Sequence, residues 1–150
     1  MPYSIGDIED AIISLLDPLK TSLGVKTIKS YQGELEEDDF KRMVVILPAI
    51  FVVYAGSNYV ESGPRKNDHM TFMLFVCDRS FRAEDETRRG GTEGPGVYAM
   101  LRGVRDALVE QQVLGLSPAQ IAREEPVFYT RGLSVYSAEY TMFDSFVASS

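Results

Sequence analysis

Apolar residues recur at three- and four-residue spacing over the first twenty positions. Ile5, Ile8, Ile12, Leu15, Leu16 and Leu19 fall on one stripe, which predicts an amphipathic helix. Ser4 can cap it, with Asp7 three residues on in a variant of the capping box. Pro18 should kink or end the segment, because a proline inside a helix removes a hydrogen bond and clashes with the preceding turn. Gly24 closes the element. The stretch VKTIKSYQ, residues 25–32, predicts a strand polar enough for a sheet edge. After it the pattern is lost in GELEEDDF, whose Glu34, Glu36, Glu37, Asp38 and Asp39 read as a solvated loop. Its acids favour the positive end of a short helix over residues 39–46, ended before Pro48.

Two runs rich in β-branched and aromatic residues follow, AIFVVYAGSNYV and MTFMLFVCD. They predict strands joined across ESGPRKNDH as a hairpin connection. Their near-continuous apolar character predicts central strands covered on both faces. Residues 78–94, DRSFRAEDETRRGGTEG, carry both signs of charge and three glycines with no period, and predict a mobile loop. Pro95 stands where a first-turn proline belongs. Val97, Met100, Leu101, Val104 and Leu108 then mark the core face of a second helix.

VFYT and LSVYSAEYTMF predict two last strands around a tight turn at Arg131-Gly132. In the final strand neither alternating set is purely apolar, so the pattern leaves its inward face open. The order α-β-α-β-β-α-β-β gives a single α+β domain over residues 1–150. The expectation is a mainly antiparallel sheet of about five strands, with two long helices and one short helix packed on it.

Composition narrows the function. The chain has 150 residues, 45% hydrophobic and 25% charged, enough to bury roughly 68–70% of its unfolded surface. A net charge of −7 argues against general nucleic-acid binding, which depends on neutralising phosphates, and against attachment to anionic lipid. No apolar run nears the roughly 20 residues of a membrane span. The acidic start MPYSIGDIEDAII lacks a secretory pattern, and the one cysteine, Cys77, fits a reducing compartment. Together these predict cytosolic synthesis.

Chemistry-bearing residues are sparse. RRGGTEGPGVYAM, residues 88–100, invites comparison with phosphate loops, but no G-x-x-x-x-G-K-[ST] is present and the dinucleotide pattern lacks its third glycine. Glu93 would also place a carboxylate where phosphate should sit. The glycines are better read as permitting unusual backbone angles beside a helix cap. His69 is the sole histidine, and Cys77, eight positions along the same strand, would lie about 26 Å away, too far to cooperate. The acidic run has no D-x-D-x-D-G loop for calcium. Arg79, Arg82, Arg88 and Arg89 lie among Glu84, Asp85, Glu86 and Glu93, a mixture that favours intersubunit ion pairs or solvation over nucleic acid.

Four segments carry a likeness to a known family. IEDAIISLL, DDFKRMVVILPAIFVVYAG, RRGGTEGPGVYAMLRGVRDAL and GLSVYSAEYTMF resemble, in order, the Mu-like phage and prophage tail terminator family. Arg88, Arg89, Gly90, Gly91 and Tyr98 match its most specific motif. The resemblance implies a virion structural protein of a contractile-tailed phage, assembled in the host cytoplasm as a homo-oligomeric, commonly hexameric, ring on the head-proximal end of the tail tube. Implied partners are the tail tube protein, with the tail sheath and head-side connector proteins beside it. DNA would pass through the channel without specific binding, and six copies would carry about −42 to repel it. No catalytic residue, metal or cofactor is implied, and the chain is expected not to be an enzyme. A ring interface joins two different patches of each subunit. These are assigned to the hairpin tip, residues 63–68, with Arg65 and Lys66, and to the loop, residues 78–94, with Arg79, Arg82, Arg88, Arg89, Gly90 and Gly91 and with nearby Tyr98. The alternatives are another head–tail connector, tail-completion or tube subunit, or a small enzyme holding an anionic ligand at the glycine-rich loop.

Overall fold

The computed structural model describes residues 3–35, 46–80, 85–91, 94–130 and 132–147. Helix α1 spans Ile5–Leu16. Ser4 caps it with both halves of the capping box: its hydroxyl accepts from the Asp7 amide, and the Asp7 carboxylate accepts from the Ser4 amide. Ile8, Ile12 and Leu16, spaced by four, are buried. The break predicted at Pro18 is present, and a single turn, α2 (Leu19–Ser22), follows it.

The sheet has five strands in the order β1-β2-β3-β5-β4. They are β1 (Thr27–Ser30), β2 (Ala49–Ser62), β3 (Arg65–Arg79), β4 (Gln120–Thr130) and β5 (Leu133–Val147). β1 lies at an edge, as its polarity predicts. It pairs parallel with β2, while the other three pairings are antiparallel. The sheet is therefore mainly antiparallel, as expected, and mixed only through the one parallel pair at its edge. Residues 31–48 give the chain the dozen or more positions a parallel return requires.

A further turn, α3 (Glu86–Arg89), precedes helix α4 (Val97–Leu108). The two main helices have twelve residues each, shorter than the long helices expected. The short helix predicted over residues 39–46 falls almost wholly outside the described residues. α1 and α4 cover one face of the sheet. There Ile8, Ile12, Met100 and Val104 meet Ile50, Phe72, Leu74, Ala138 and Tyr140 in the main core. The even positions of β5, Tyr136 to Met142, face the helices, so the open question of its inward face is settled by what packs on it. Leu47, Ala49, Phe51, Cys77, Leu133 and Val135 form a smaller cluster, with the Tyr31 ring tilted against Phe75 at 5.2 Å and Phe51 at 5.9 Å. Coverage of both faces is thus real but confined to one end of the sheet.

Two more expectations change. The hairpin connection shrinks to Gly63-Pro64, and polar residues 57–62 and 65–69 remain paired strand. Backbone pairing does not need an apolar side chain, so the polar pattern hid an arm of β2, β3 and β5 that runs on past the helices. Pro95 lies outside α4, whose N-cap is Gly96.

Candidate subunit interface

The glycine-rich stretch is a brace. Asp78, at the end of β3, is buried, and a buried carboxylate must be hydrogen-bonded to persist. Its Oδ1 accepts from the Arg79 amide at 2.7 Å, and its Oδ2 accepts from the Gly96 amide at 2.7 Å. The carboxylate thereby occupies the positive end of α4, where a bound phosphate would otherwise sit. Gly90 and Gly96 have φ of 88° and 82°, the left-handed region open to glycine. A Cβ on Gly96 would run into the Gly90 nitrogen and come within 2.6 Å of the Arg88 carbonyl oxygen, so the two backbones touch. The Gly91 amide donates to the Gly94 carbonyl at 3.0 Å. Thr87 Oγ1 meets Ser134 Oγ at 2.6 Å in the interior, and Ser80 Oγ donates to Glu86 at 2.9 Å. The mobile-loop expectation is therefore corrected at residues 78–80, 85–91 and 94.

What the brace presents is a patch of tyrosines and arginine. Arg88 lies 5.8 Å from the ring centre of Tyr129 on β4, within cation–π range. Tyr98 on α4 meets Tyr136 on β5 edge-on at 5.9 Å. Burial, and then the hydrogen bond to Tyr98, push the Tyr136 hydroxyl up, while Arg88 opposes the shift. Tyr98 and Tyr129 are 44% and 47% exposed. Arg88 Nε is enclosed without a hydrogen-bond partner. Tyrosine and arginine dominate the energetic centres of protein interfaces, because each joins a large apolar area to a polar tip.

The predicted residues divide between the two ends of β3. Arg65 and Arg79 bound that strand and stand about 46 Å apart at about 3.3 Å per residue. At the arm, Arg65 Nε donates to Ser145 Oγ at 2.8 Å, and Lys66 faces Glu61 at 3.8 Å. Tyr59 packs edge-on against Phe146 at 6.3 Å, and Tyr59, Val60 and Val147 are exposed. At the brace, Arg79, Arg88, Arg89, Gly90, Gly91 and Tyr98 come together. Arg89 reaches Asp85 at 3.8 Å with most of its side chain exposed, a pair of little net value. Gly90 and Gly91 shape the backbone, whereas Arg88 and Tyr98 present side chains. Arg82 lies outside the described residues. Tyr129, Tyr136 and Asp78 were missed; the only hint in the sequence is the density of tyrosine at residues 129–140.

The other chemical candidates have local explanations. His69 leans on Phe143 at 5.3 Å. Cys77 is buried on the same strand, and burial together with neighbouring Asp78 pushes its thiol up, away from reactivity. Burial alone would raise Glu34, but hydrogen bonds from Lys29 and the Gln32 amide hold it below the ordinary value, with Lys29 Nζ at 2.8 Å. Among the described residues no three His, Cys, Asp or Glu side chains are placed to hold a metal, and no helix is long and apolar enough to cross a membrane. Two shallow depressions of about 600 and 590 Å³ flank α1 and α4, and no residue of the brace lines them.

No curated protein matches the sequence. The family model described as bacteriophage Mu, Gp37, matches residues 4–144, from the cap of α1 to the arm of β5. The chain belongs to the bacteriophage Mu Gp37 family.

Proposed function

We propose that this chain closes the head-proximal end of a phage tail tube as a ring, ending tube growth and offering a surface for head joining. Its family supports a phage structural or assembly protein; the tail-terminator role comes from the likeness of the motifs around Arg88 and Tyr98. The observation that carries the reading is the placement of two unlike exposed surfaces, the arm and the tyrosine–arginine patch, at opposite ends of one sheet. Two different patches per subunit are what a head-to-tail ring requires. The proposed partners are further copies of the chain, the tail tube protein, and sheath and connector proteins at the rim. Its work is binding rather than bond-making, and it takes no cofactor. Six copies would carry about −42, a charge that keeps DNA from adhering to the channel.

Electron microscopy of virions lacking the protein tests this. Tubes of uncontrolled length and unjoined heads are expected, and tails of normal length on filled heads would overturn the reading. A tube subunit would instead polymerise into long stacks by itself, so imaging of the purified protein separates the two roles. Changing Arg88 and Arg89 together to Glu should weaken ring or tube association, read as a lower light-scattering mass and reduced tail capping.

A further inference from the structure

We infer that the arm of one copy docks on the tyrosine–arginine patch of the next, with the carboxylates of Asp68 and Asp144 meeting the guanidinium of Arg88. This rests on the ring reading and names the contact that would build the ring.

Asp68 and Asp144 are direct partners in the β3–β5 register, two positions beyond the buried Met70–Met142 pair. Alternation puts both carboxylates on the helix side of the sheet, but past the helices, in the same row as exposed Tyr59. Like charges directly opposite each other across two strands destabilise the pairing. Among the described residues neither aspartate has an ion pair, Arg65 is engaged by Ser145, and Lys66 faces Glu61.

The patch has the opposite need. Arg88 is half-buried, and among the described residues no carboxylate pairs with its guanidinium. A guanidinium is a fork shaped for carboxylates, and this one lies over the Tyr129 ring at 5.8 Å. The carboxylates near one end of β3 and the guanidinium near its other end, about 36 Å away along the strand, cannot meet within one chain. They can meet between copies. With a net charge of −7, two copies repel in most orientations, so a local attraction selects this one. Tyr59 and Phe146 on the arm, which pack edge-on against each other, supply the apolar area that Tyr98 and Tyr129 would cover.

The test is charge reversal in the purified full chain, read by sedimentation over a concentration series and by negative-stain imaging with and without tail tubes. Asp144→Lys and Arg88→Glu should each weaken copy–copy association by about tenfold or more. The two changes in one chain should restore it. Mixing the two single variants should also restore assembly as alternating copies, since an intact arm meets an intact patch at one contact and the two reversed charges meet at the next. Asp144→Asn separates association from folding: it relieves the repulsion inside the chain, so the melting temperature should hold or rise while association weakens. Rings unaffected by both reversals would overturn the arm–patch contact and leave the ring standing. A wild-type chain that is monomeric at every concentration and on tubes would overturn both. Reversal at Arg88 that spares association but abolishes tube binding would assign the patch to the tube protein and overturn the inference.

Discussion

The Asp78 carboxylate holds the Gly96 amide at 2.7 Å from eighteen residues upstream, so the end of the central strand and the start of α4 are one structural unit. Replacing Asp78 by Ala strands a buried donor and removes two charge-assisted hydrogen bonds. The expected cost is about 2–3 kcal/mol, or roughly 4–12 °C in melting temperature for a chain of this size. Asp78→Asn keeps an acceptor and should cost less. Thermal unfolding of both variants checks the order, and a mild Ala variant would show that the brace carries little stability.

Gly96→Ala should be costlier than its size suggests. The left-handed backbone disfavours any side chain, and the added carbon meets the backbone of Gly90 rather than a movable side chain. A loss of about 2 kcal/mol or more is expected, with displacement of Arg88. Chemical denaturation gives the loss, and the Arg88 displacement should appear as weakened association in the same preparation.

Glu34 should set a small part of the acid limb of stability. Its folded value lies below its ordinary one, because hydrogen bonds from Lys29 and Gln32 outweigh the effect of burial. Such a group contributes fully above its unfolded value and loses that contribution as the pH falls through the depressed one. Lys29→Met should raise the Glu34 value and shift acid unfolding to higher pH. Carboxyl NMR titration of wild type and variant reads this directly; an unmoved Glu34 resonance would refute the pairing.

Cys77 should be silent to thiol reagents in the native state at mildly alkaline pH, since burial and Asp78 disfavour the thiolate. Labelling should follow unfolding and rise steeply with denaturant. Being the one cysteine, it reports without interference, and rapid modification in native buffer would contradict its placement.

The sequence revealed those parts whose cause is local. The stripe from Ile8 to Leu16, the Ser4–Asp7 cap and the break at Pro18 are decided within a few residues, and all are present. The core face of α4, Val97 to Leu108, was legible for the same reason. The parallel pairing of β1 was not, because direction in a sheet depends on how residues 31–48 travel. The arm was hidden because its side chains are polar while its order comes from backbone pairing. The candidate site was half visible: Arg88 and Tyr98 stood in one motif, but Tyr129 and Tyr136 reach them only through the β4–β5 pairing. Asp78 looked like one charge among many, and what encloses it is the close approach of Gly94 and Gly96 to its carboxylate.

β3 and β5 keep an unbroken register from Arg65–Val147 to Arg79–Leu133. Such a ribbon resists stretching, since lengthening it would break its ladder of hydrogen bonds together. The distance between whatever grips the arm and whatever grips the brace is therefore set by residue count, and the subunit is a ruler. Deleting facing residues from the arm would shorten that ruler by a known step and change the circumference of any closed assembly built on it.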